Sequence, residues 1–83
     1  MTNKLKPKRP TKKPITAVML EYIGESENWE WYDIMFDVTP AEAVKHYYKE
    51  NGMLQEYKNE IKNINTKQSS ITLEIARAYI ITF

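Results

Sequence analysis

The chain has 83 residues and no cysteine, so it is one small domain at most, with neither disulfides nor thiolate metal sites to reinforce it. A net charge of +1 conceals three unequal blocks: +6 over residues 1–14, −7 over residues 15–44 and +2 over residues 45–83. No apolar run approaches the ~18 residues of a membrane span, and the first fourteen residues lack the apolar segment of a signal peptide, so the expectation is a cytoplasmic protein that does not enter membranes.

The opening MTNKLKPKRPTKKP carries Lys4, Lys6, Lys8, Arg9, Lys12 and Lys13 with three prolines and one large apolar residue. Such a segment cannot bury enough surface to offset the entropy of ordering, and the expectation is a flexible basic arm over residues 1–14. Residues 15–83 then form a single α+β domain. In ITAVMLEYIG, β-branched and apolar residues predict a strand over about 15–23, with Val18, Leu20 and Tyr22 on one side. GESEN reads as a connection. WEWYDIMFDV alternates: Tyr32, Ile34, Phe36 and Val38 are expected to face the core, and Trp31, Asp33, Met35 and Asp37 the outside. The two strands are expected to pair as an antiparallel hairpin.

Thr39-Pro40-Ala41-Glu42 is a capping box with proline at the first helical position, and Asn51-Gly52 supplies a terminator, which predicts a helix from Pro40 to about residue 51. MLQEYKNEIKNI is open to two readings. Leu54, Tyr57, Ile61 and Ile64 recur at helical spacing, which favours a second helix, while a period-two reading makes the segment a third strand. NTKQSS is a polar loop. ITLEIARAYIITF predicts one long final strand with Ile71, Leu73, Ile75, Tyr79, Ile81 and Phe83 on one face and a bulge near Ala76-Arg77. The expected architecture is a small antiparallel sheet of three to four strands with one or two helices packed on one face, in ββαβ-like order.

Chemistry is sparsely marked. His46 is the only histidine and stands four residues from both Glu42 and Glu50. A general base or metal ligand could be built that way, but a solvated helix face with ordinary i,i+4 pairs is the simpler account. Paired carboxylates such as Glu25/Glu27 and Asp33/Asp37 need a cleft to perturb them, and a sheet with one helical layer offers little volume for one. With only two glycines there is no phosphate loop. No enzymatic activity, cofactor or metal is expected.

Charge and aromatic placement point instead to binding. Glu25, Glu27, Trp29, Glu30, Trp31, Asp33, Met35 and Asp37 are expected to make an acidic face bearing tryptophan, suited to a protein partner with a basic surface. The basic clefts of nucleic-acid-handling proteins are such surfaces, so an inhibitor or regulator acting as a nucleic acid mimic is the leading expectation. Ten lysines against two arginines, nine isoleucines and six asparagines suggest an AT-rich gene, and with it a phage or mobile-element source. An alternative expectation is weak, non-specific nucleic acid binding through Lys4, Lys6, Lys8, Arg9, Lys12 and Lys13, with the folded body as the dimerisation unit of a homodimer. A third is a structural subunit that adds its last strand to a neighbouring sheet.

Overall fold

A computed structural model describes residues 16–81, and the expected basic arm lies outside the described residues. Six elements follow one another: β1 (Ala17–Ile23), β2 (Trp29–Phe36), α1 (Pro40–Glu50), α2 (Leu54–Ile61), β3 (Ser70–Thr72) and β4 (Ala76–Ile81). The four strands form one antiparallel sheet in the order β2-β1-β4-β3, and α1 packs against β1, β3, β4 and α2, so both helices cover the same side. The α+β architecture expected from the sequence is the one found.

Local chemistry explains α1 at both ends. Thr39 Oγ1 accepts from the Glu42 amide at 3.1 Å, and Glu42 Oε1 accepts from the Thr39 amide at 2.8 Å, a reciprocal cap worth about 1 kcal/mol. At the other end Gly52 takes φ +70°, and the Met53 and Gly52 amides turn back to the carbonyls of Tyr48 (2.7 Å) and Lys49 (3.1 Å). This paired closure satisfies two carbonyls that the helix leaves open, and it needs the left-handed conformation that glycine adopts without strain. The ambiguous middle segment is helix: Tyr57 is buried, and Leu54, Ile61 and Ile64 pack along the core.

Val18, Leu20, Val44 and Tyr48 are wholly buried between sheet and α1, with Ala76 and Ala78 letting the helix approach β4 closely. One polar network ties this core together. The Tyr48 hydroxyl donates to Glu60 Oε1 at 3.0 Å and accepts from the Ile75 amide at 3.3 Å, while the same Glu60 oxygen accepts from the Glu74 amide at 2.8 Å. Burial pushes the Tyr48 phenol well above its ordinary pKa.

Two sequence expectations need correction. The first concerns β2, where Leu20 pairs with Asp33 but Glu21 pairs with Trp31, leaving Tyr32 without a partner. This β-bulge resets the alternation. Tyr32 still faces the helices, as expected, but beyond it Met35 pairs with core-facing Val18 and packs against the core, while Ile34 and Phe36 turn to the other side. The second concerns the C-terminal segment, which is two strands joined by a tight turn at 73–75, closed by a bond from the Leu73 amide to the Ala76 carbonyl at 2.8 Å. Ile71 and Leu73 are therefore in the core, whereas Tyr79 and Ile81 lie on the opposite side of the sheet; the expected placement of Phe83 lies outside the described residues.

Candidate functional site

Among the described residues, none forms a layer over the side of the sheet away from the helices. Antiparallel sheets covered on one side usually present polar residues on the other. Here β2 contributes Trp29, Trp31, Ile34 and Phe36, β1 contributes Met19 and Ile23, and β4 contributes Tyr79 and Ile81. Trp31, near the start of β2, is 60% exposed and Phe36, at its end, 52%, so the strand offers two large aromatic side chains to solvent. With half-buried Ile34 between them on the same side, exposure of this kind marks an interaction surface.

β3 adds exposed Ser70 and Thr72, paired with Tyr79 and Arg77, and beside them a charged island sits within the apolar field. Arg77 Nε donates to Glu21 Oε1 at 2.6 Å, and the Tyr79 hydroxyl donates to Glu21 Oε2 at 3.1 Å. The Arg77 guanidinium carbon lies 4.6 Å from the Trp29 ring centre and 5.9 Å from that of Tyr79. Stacking on the indole and pairing with the carboxylate fix the arginine in one pose, as its planar fork allows. Partial burial, then the bond to Glu21, raises the Tyr79 pKa.

The residues expected to form one acidic and aromatic face are divided. Trp29 and Trp31 do lie on the open side, Trp29 half-buried beneath Arg77 and Trp31 uncovered by either helix or by the C-terminal strand. Glu25 and Glu27 are exposed in the turn at the adjacent end, where Glu27 takes φ +62° and its amide bonds the Gly24 carbonyl at 2.9 Å. Glu30 pairs with Tyr22 on the helix side and accepts from its hydroxyl at 3.3 Å; its negative charge is the main cause that raises that phenol's pKa, with desolvation and then the bond adding to it. Asp33, expected outside, pairs with core-facing Leu20 and so stands on the helix side because of the bulge, its Oδ1 accepting from the Ile34 amide at 2.8 Å, and Met35 packs in the core. Asp37 is exposed at the far end of the hairpin, with φ +59°. The assembled site is therefore Trp29, Trp31, Ile34 and Phe36 with the acidic turn at Glu25 and Glu27 beside it. Residues 16–81 hold eleven acids and six bases, a net charge of −5.

His46 keeps only one of its two expected partners. Its Nε2 lies 3.1 Å from Glu50 Oε1, an oxygen that also accepts from the Tyr32 hydroxyl at 2.8 Å, whereas Glu42 is engaged in the helix cap. Above this trio, Tyr47 stacks on Tyr22 at 5.8 Å and meets Tyr32 edge-on at 4.8 Å. The bond to Glu50 raises the Tyr32 pKa, and burial raises that of Tyr47. This tyrosine cluster joins α1 to the bulged edge of the sheet, and the sequence reading did not foresee it. The available signal was Tyr22 on the inward side of β1 together with Tyr47 beside the helix stripe. Among the described residues no group of three or more histidine, aspartate or glutamate side chains is gathered as a metal site, and no helix is long and apolar enough to cross a membrane.

Comparison with protein-family models, with curated proteins and with solved structures finds no match for this chain.

Proposed function

We propose that this chain is a non-enzymatic protein-binding module, docking through the open sheet face and the acidic turn beside it onto a partner with a basic surface. The observation that carries the reading is Trp31 and Phe36 standing exposed, with no helix over them, on a body of net charge −5. Apolar contact supplies the holding energy, and the acidic turn steers the encounter. Clefts that accept nucleic acid have the required charge, which makes an inhibitor or regulator of a nucleic-acid-handling protein the reading the surface favours, in keeping with the phage-like composition.

The test is capture of a partner followed by competition. A captured protein that duplex DNA displaces, and that Trp31→Ala or the pair Glu25→Lys and Glu27→Lys releases, supports the reading. Capture that ignores all three changes sinks it. The second reading, nucleic acid contact through the six positive side chains of residues 1–14, predicts direct and steeply salt-dependent DNA binding that disappears when residues 2–13 are deleted.

A further inference from the structure

The open face is neutral at its centre and charged at its ends. Glu21 and Arg77 cancel in the middle, and the acidic turn stands at one end. At the opposite end the chain enters the sheet at Thr16, whose carbonyl accepts from the Asp37 amide at 3.0 Å. Residues 1–14, with six positive side chains and no acid, are thus attached at the end farthest from Glu25 and Glu27.

We infer that a second copy of this chain covers the open face, the two sheets packing face to face about a two-fold axis that reverses strand direction. An isologous contact must be self-complementary, and this face meets that condition twice. Its apolar side chains meet their equivalents. The Glu21–Arg77 island also brings both unused arginine donors, since only Nε of Arg77 has a partner among the described residues, and carboxylate lone pairs able to receive them. Burying a charged pair is costly unless the covering surface completes its hydrogen bonds, and a second island can do so.

Charge selects the orientation. An axis along the strands would place acidic turn over acidic turn. An axis across them places each acidic turn over the end where the partner copy's positive block is attached, and it brings edge strand β2 over β2 so that Trp31 of each copy lies toward Phe36 of the other. Strands of eight, seven, six and three residues, at about 4.8 Å spacing and about 3.3 Å per residue, give a face of roughly 380 Å². Allowing for side-chain relief, that provides about 450 Å² per copy, below the roughly 600 Å² of the smallest stable interfaces and in the range of transient ones. The contact is accordingly weak and reversible. It builds on the docking reading above by naming what covers the same face when no basic partner is present.

Sedimentation equilibrium of the full chain from micromolar to millimolar concentration tests the inference. The expected result is a monomer–dimer equilibrium that Trp31→Asp weakens at least about thirtyfold, the scale of losing an interface hot spot. Far-UV circular dichroism confirms that the variant folds, and Phe36→Asp serves as the second disrupting variant. Orientation is read by disulfide trapping, for which the absence of native cysteine is convenient. Chains carrying Glu27→Cys are expected to cross-link to chains carrying Ile81→Cys, on the open side at the opposite end of the sheet, and not to one another. A strict monomer throughout, or an association indifferent to both aspartates, overturns the inference, as does cross-linking of Glu27→Cys to itself. A monomer that still captures a basic protein through Trp31 overturns the dimer alone and leaves the docking reading standing.

Discussion

Replacing Tyr48 with phenylalanine removes one oxygen atom and leaves the buried ring in place. That oxygen donates to Glu60 and accepts from the Ile75 amide, so the change strands a backbone donor in the turn between β3 and β4 and takes one of two donors from Glu60 Oε1. A buried donor without an acceptor costs about 1–3 kcal/mol, and a hydrogen bond to a carboxylate is worth about 1.5–3 kcal/mol. Glu60 is partly exposed, so water recovers much of the second amount. The expected loss is about 2–3 kcal/mol. Against a total of roughly 3–10 kcal/mol for about 66 residues, this is a large share. The midpoint of thermal unfolding should fall by roughly 10–20 °C. Urea unfolding followed by tryptophan fluorescence measures the change, with the m-value held constant to show that the unfolding transition itself is unaltered. Tyr57→Phe is the internal control, because the Tyr57 hydroxyl makes only a 3.4 Å contact with the Ala41 carbonyl, and its loss should cost less than about 1 kcal/mol. If Tyr48→Phe stays within about 0.5 kcal/mol of the parent, the range of an inconsequential surface change, the network does not hold the turn and the reasoning fails.

Three further outcomes follow from the same geometry. Met35→Lys should destabilise the domain by about 1–2 kcal/mol, roughly half the cost of emptying a full core site because Met35 is only partly buried, whereas Phe36→Lys should cost less than about 0.5 kcal/mol; urea titration of the pair reads the phase of β2 directly. Thr39→Ala should cost about 1 kcal/mol in the same assay, and adding Glu42→Ala should cost less than the sum of the two single changes, since each side chain completes the other's bond. All six tyrosines have raised pKa values, Tyr48 most strongly because of burial. Below about pH 10 the phenols are protonated in both folded and unfolded chains. Above it the unfolded chain releases protons that the folded one retains, so stability falls as pH rises, by about 1.4 kcal/mol per pH unit for Tyr48 alone. Absorbance at the phenolate band should therefore show Tyr48 ionising only together with loss of the fold, and a Tyr48 titration that precedes unfolding would contradict its placement.

What the sequence disclosed was mostly short-range. The Thr39–Glu42 box and the Asn51-Gly52 stop are completed by side chains and amides within five residues, so their chemistry can be read in order along the chain. The outward aim of Trp31 was legible for the same reason, because it lies before the bulge and obeys simple alternation. Beyond Tyr32 the reading failed, since nothing in WYDIMF itself records that Glu21 pairs with Trp31 while Leu20 pairs with Asp33. The turn at 73–75 was hidden for a related reason. Leu73-Glu74-Ile75 contains no glycine or proline, and two of the bonds that hold it, beside the local one from Leu73 to Ala76, come from Tyr48 and Glu60, far away in sequence. Even the site inherits this division: its tryptophans were foreseen, and Ile34 and Phe36 were assigned to the wrong side.

The unpaired Tyr32 is the one residue of β2 that the ladder could lose without changing register. Excising it would leave Trp31 opposite Glu21 and Asp33 opposite Leu20 in unbroken pairing, with Ile34 and Phe36 still outward and Met35 still inward. A lineage carrying such an indel would present the same side chains to the world while losing the phenol that meets Tyr47 and Glu50.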